Sequence, residues 1–259
     1  MIRKFRPQLV VSVSTPDLLF RSEVELFTDT DAVFAGFCSG CVADPEHCVL
    51  ARNRTASELQ GAIYNLLETI KQNPIVLPIA GTEVLLDYSA VKSATFSILY
   101  APSAWPTYAA VLDGLLAGNL GVVSDYINAI LSAPAATSDE AEFGIKCSDK
   151  FSRTSHLTDI LPEVEARHQL SRIAGDTADS VTMACAQWKF DAKERYTGDF
   201  QVRTKKPMLV IGNTYDPVTP LVSARNVSDG FEGSVLLQHD GYGVSSQYVW
   251  LSYKLTIYL

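Results

Sequence analysis

The chain has 259 residues and a hydrophobic content of 47%, ordinary for a globular protein, which excludes a disordered polypeptide. A net charge of -8 and a sequence pI near 5.0 leave no basic stripe to neutralise phosphates, so nucleic acid is not an expected partner. No apolar run approaches the ~18 residues of a membrane-crossing helix, so no membrane partner is expected either.

In chain order, residues 1–27 form a mixed, poorly patterned segment in which "QLVVSV" is a candidate strand. Its start, "MIRKFRPQLVVSVSTP", has a basic head but an apolar core broken by Ser12 and Ser14, which makes a poor export signal. Residues 28–200 read as a helical block. "DTDAVFAGFCSGCV" opens on acids and a threonine suited to a helix head, and Val33, Phe34, Phe37 and Cys41 follow at helical spacing. Thr55 and Glu58 make a capping box, and Leu59, Ile63, Leu66, Leu67 and Ile70 form the inward face of a helix that Asn73-Pro74 stops. "IVLPIAGTEVLLDY" is a strand or a linker. Helices are then predicted from about Ser89 to Tyr100, from after Trp105, with Pro106 in the first turn, to Gly118-Asn119, and over Val122 to Leu131. "SAPAATSDEAE" reads as a small-residue loop, and a further helix is predicted near Glu163 to Ala174.

The pattern changes after Lys206. "PMLVIG" and "SVLLQH" are short continuous apolar runs, as expected of strands buried on both faces, and "TPLVSARNVSDGF" between them reads as a crossover helix. Asp216, in "NTYDPVTP", falls just beyond the carboxyl end of the first strand, where open α/β sheets place functional groups. An Asp-Pro turn is also a structural device in its own right, and both readings stay open on the residues alone.

"MLVIGNTYDPVTPLVSARNVSDGFEGSVLLQHDGYG" resembles the C-terminal region of the tripeptidyl-aminopeptidase-like family of α/β-hydrolase serine peptidases. The resemblance extends upstream through "DTDAVFAGFCSGCVADPEHC", "LYAPSAWPTYAAVLDGLLAGN", "IKCSD" and "CAQW". It implies a partial α/β-hydrolase fold: mostly helical cap over 28–200, a short parallel strand-helix-strand unit over 201–243, and an atypical tail at 244–259. It also implies a secreted exopeptidase that removes short peptides from free amino termini, without a cofactor or metal. The triad acid of that family corresponds to Asp216.

The other triad members do not carry over. No G-x-S-x-G elbow occurs in the sequence, and the position that bears the family's histidine, after "GYG", is Val244. A branched alkane side chain can neither take a serine proton nor bond a carboxylate. His239, five residues earlier, would need the loop to fold back. The expectation is therefore a catalytically incomplete chain, its elbow preceding Met1. Because every valine codon begins with the GT of an intron boundary, the tail is expected to be read-through of unspliced intron. A non-catalytic peptide-binding module is the alternative.

Five cysteines leave one over if the rest pair. "CSGC" with His47 and Cys48 offers four soft ligands for a zinc knuckle, although the C-x-x-C lies late in a helix and no second pair is near. The family resemblance implies bridges Cys41 to Cys48 and Cys147 to Cys185 instead. Sequons at Asn53 and Asn226 lean with the cysteines toward an oxidising compartment.

Overall fold

A computed structural model describes residues 8–11, 24–79, 81–132, 139–150, 153–194, 201–244 and 255–258. The chain divides into two units, one formed by 1–33 with 138–259 and the other by 34–137. The boundary falls inside helix α1 (Thr30–Ala43).

The first unit contains a four-stranded sheet in the order β1-β4-β5-β6. Strand β4 (Met208–Tyr215) is central, with β1 (Gln8–Val11) parallel to it on one side and β5 (Val235–Tyr242) parallel on the other. Strand β6 (Leu255–Tyr258) pairs antiparallel with the far edge of β5. The expected strand-helix-strand unit is present: helix α9 (Leu221–Gly230) crosses from β4 to β5 and buries Leu221, Ala224 and Val227 against Val210 and Leu236. Close approach requires Gly212, where a Cβ would lie 2.9 Å from that of Ala224 and 3.0 Å from Leu221 Cδ1. The segments at 1–27 and 244–259 thus each supply a strand to flank the apolar pair β4 and β5, which would otherwise present open edges.

Among the described residues, three α-helices besides α9 and the start of α1 lie in this unit. Helix α6 (Asp139–Asp149) begins inside the stretch expected to be a loop, and its acidic opening suits the positive end of a helix. The rest of that predicted loop, 133–138, lies outside the described residues. Helix α7 (Leu161–Leu170) stops four residues short of the predicted Ala174. The reason is that Asp31 captures the N–H groups of Arg172 and Ile173, at 3.0 and 3.2 Å, which a continuing helix would have used. A turn at 172–178 follows, and then α8 (Asp179–Ala186), to which the sequence reading assigned no element of its own. A disulfide between Cys147 and Cys185 ties α6 to α8, with Trp188 and Phe143 packed over it. Arg167 is wholly buried and is held by Glu163 at 2.7 Å and Asp179 at 2.9 Å.

The second unit contains α2 (Ala56–Gln72), α3 (Tyr88–Ile98), α4 (Trp105–Ala117) and α5 (Leu120–Ser132), together with the larger part of α1. The Thr55–Glu58 capping box is formed, and the five apolar residues read as the inward face of α2 are all buried. Gly118, in the left-handed region at φ 70°, closes α4 as its position after the helix requires. "IVLPIAGTEVLLDY" is neither a single strand nor a linker. It is an antiparallel hairpin of β2 (Ile75–Ile79) and β3 (Thr82–Leu86), so the helical block contains a small sheet. Cys41 and Cys48 form a disulfide that closes the end of α1, and Cys38 is a buried free thiol.

Candidate functional site

Strand β4 delivers Asp216 to the first position beyond its carboxyl end, where the residue is completely buried. Its Oδ1 accepts two backbone hydrogen bonds from its own loop, from Val218 N at 3.0 Å and Thr219 N at 2.8 Å. A short acceptor side chain that folds back on the N–H groups two and three residues on is what an aspartate does in a tight turn. The same bonds also fix the plane of the carboxylate, so the structural and functional readings of Asp216 share one geometry.

The turn after β5 is fastened to the strand that carries the acid. Gly243 N donates to Tyr215 O at 2.9 Å, and Asn213 Nδ2 donates to Gly243 O at 2.6 Å. Tyr215 and Tyr242 pair in the ladder and their rings stack, with centroids 4.7 Å apart. Val244 therefore leaves the sheet one residue after a glycine bonded to the neighbour of Asp216. This is the place where the family resemblance puts the histidine, and it holds an aliphatic side chain.

His239 lies within β5, opposite Asn213, and is buried. Its Nδ1 is 2.9 Å from Asn213 Oδ1, which can only accept, so the ring donates there. The ring also covers Gly241, where a Cβ would fall 2.5 Å from His239 Cε1. The remaining histidines are exposed: His47 pairs with Asp44 and His168 with Asp179, each at 2.9 Å.

Three consecutive residues at the head of α1 reach the same region. The Asp29 carboxylate accepts from Leu221 N, the first residue of α9. Thr30 Oγ1 donates to Pro217 O at 2.7 Å in a buried position. Asp31 accepts from Ser171 Oγ at 2.6 Å as well as from the two N–H groups that end α7. Burial raises the Asp29 carboxyl above its usual range and the nearby Asp216 raises it further, against the lowering effect of the Leu221 N–H. The sequence reading took these residues as complements to their own helix dipole. Nothing local could have shown that their side chains turn to loops far along the chain.

The zinc alternative loses its ligand set, because Cys41 and Cys48 are joined to each other. No cluster of three or more metal-ligating side chains occurs among the described residues. Trp105 meets Phe37 edge to face and donates to Ile98 O at 3.1 Å, while Trp188 covers a disulfide. An apolar hollow of about 180 Å³ in the second unit lies among Val84, Leu86, Tyr108, Val123, Tyr126 and Ile130.

Residues 171–248 match the model of a family described as TAP-like protein. The match spans β4, α9, β5 and the Asp216 loop, and it agrees with the resemblance read from "MLVIGNTYDPVTP" onward. That segment is similar to TAP-like α/β-hydrolase sequence. No curated protein matches the chain. No helix among the described residues is long and apolar enough to cross a membrane.

Proposed function

We propose that the chain carries the acid-bearing part of a serine exopeptidase of the α/β-hydrolase type, with Asp216 in the role of triad acid, and that this polypeptide alone does not turn over peptides. The observation that carries the reading is the burial of Asp216 at the carboxyl end of β4, inside the segment that matches the TAP-like family, with its carboxylate held by two backbone N–H groups. In a triad such an acid orients an imidazole and stabilises the imidazolium that forms when serine gives up its proton. Its substrates would be short peptides with a free amino terminus, and the reaction calls for no cofactor. The family is largely secreted, and an extracellular location fits the two disulfides.

Inactivity of the chain follows from the residues present. Val244 stands where the base would be, and no G-x-S-x-G is available to expose a serine hydroxyl. Loss of triad residues costs on the order of 10⁴ to 10⁶ in rate. Tripeptidyl and aminoacyl chromogenic substrates are therefore expected to give no hydrolysis above background. Turnover that Asp216→Asn abolishes would refute the inactivity. Saturable peptide binding without hydrolysis would favour the alternative of a binding module, whose apolar hollow among Tyr108, Tyr126 and Ile130 could receive a side chain.

A further inference from the structure

A helix usually spends the aspartates and threonines at its head on its own unpaired N–H groups. At the head of α1, three successive side chains are directed elsewhere. Asp29 takes the N–H of Leu221, Thr30 gives its hydroxyl proton to the carbonyl of Pro217, and Asp31 binds Ser171, Arg172 and Ile173. Two of these contacts, at Pro217 and Leu221, fall at the two ends of the loop that follows Asp216.

We infer that Asp29, Thr30 and Asp31 form a clamp that positions the Asp216 carboxylate, a role that rests on reading Asp216 as the triad acid. Within the loop from Asp216 to Leu221, the N–H groups of Val218 and Thr219 are taken by Asp216 itself, and these bonds leave the two prolines of the loop untethered. Pro217 and Pro220 have no N–H to donate, and Pro220, the residue that caps α9, provides no side-chain acceptor for that helix. Asp29 supplies the missing acceptor from outside. Thr30 holds the loop at the residue next to the acid, and its hydroxyl is fully buried, so loss of that bond leaves the Pro217 carbonyl without its Thr30 donor rather than rehydrated. Asp31 makes three bonds to the turn that ends α7, so the helix head that bears the other two residues is itself anchored. An acid that steers an imidazole must hold its direction closely, and supporting bonds of this kind set it.

The test installs an imidazole at the vacant position and reads its titration by proton NMR in the full chain. Val244→His is expected to give a ring whose midpoint lies about one unit above an ordinary histidine, and adding Asp216→Asn should return it to the ordinary value. If Asp216→Asn leaves the midpoint where it was, the reading of Asp216 as the acid fails, and the clamp's proposed role fails with it. Given a midpoint that depends on Asp216, Thr30→Val in the same background should remove at least about half of the displacement. Thr30→Ser, which keeps the hydroxyl, should retain it. A displacement unchanged by Thr30→Val overturns the clamp and leaves the acid assignment standing. Should Thr30→Val not fold, Asp29→Ala is compared with Asp29→Asn: both remove the charge near Asp216 and only the first removes the acceptor for Leu221 N, so a midpoint lower in Asp29→Ala than in Asp29→Asn supports the clamp and equal midpoints overturn it.

Discussion

Two residues show how narrowly single positions are determined. A Cβ at Gly175 would lie 2.3 Å from Arg167 O and 2.6 Å from Ser171 O, both of them backbone atoms that cannot swing aside. Gly175→Ala is expected to destabilise the fold by about 2–3 kcal/mol in urea unfolding. Gly144, on α6, has open space around its added carbon, and Gly144→Ala should stabilise by about 0.5 kcal/mol, which makes it the control. Asp29 gives a pH-dependent case. Burial and then Asp216 raise its carboxyl in the folded state, so folding favours the protonated form. The stability this provides is complete below the unfolded aspartate value and is lost as pH rises through the raised folded value. Asn accepts from Leu221 N without carrying charge. Asp29→Asn should therefore raise the melting temperature at neutral pH by about 2 °C and have little effect near pH 3, so that melting curves across that range converge at the acid end.

Among elements, the two disulfides differ in the length of chain they close. Cys147 and Cys185 are 38 residues apart and join α6 to α8, whereas Cys41 and Cys48 are seven apart at the end of one helix. Chain-entropy arguments assign about 4 kcal/mol to the longer loop and about 2 kcal/mol to the shorter. Replacing both members of the longer pair by serine should lower the denaturant midpoint more than the same change in the shorter pair. The elements that sequence made legible were those with a strong internal signal. Helix α2 has a capping box and five apolar residues in register, and β4 is an uninterrupted apolar run. The hairpin β2–β3 was obscured because Pro78 and Gly81 inside the stretch are also the marks of a linker. Helix α8 has only eight residues, too few for its buried face of Val181, Thr182, Cys185 and Ala186 to stand out as a period, and a disulfide ties it to α6. Helix α7 ends where it does because of Asp31, about 140 residues earlier, a cause that no local window contains.

The whole molecule depends on such distant pairings. Strand β1 finds β4 across some 200 residues, and the bond from Thr30 to Pro217 spans 187. The place of Asp216 could be read from the chain, since an apolar strand followed by Asp-Pro puts the aspartate just beyond the strand's carboxyl end. Asn213, which joins the ring of His239 to the turn at Gly243, could not, because its partners come from another strand. The candidate site was thus visible at its centre and hidden in its supports. The proposed loss of catalysis sits at the centre as well: the supports around Asp216 are intact, and Val244 occupies the adjoining turn.

The fifth cysteine has a consequence for how the chain acquires its bridges. Burial pushes the Cys38 thiol up to about 12, so at neutral pH the native protein exposes essentially no thiolate to attack either crosslink. In the unfolded chain that protection is gone, and Cys38 lies only three residues from Cys41. Mispairing is therefore a hazard of oxidative refolding alone, and once the native core has closed over the sulfur, the correct pairs are locked against exchange.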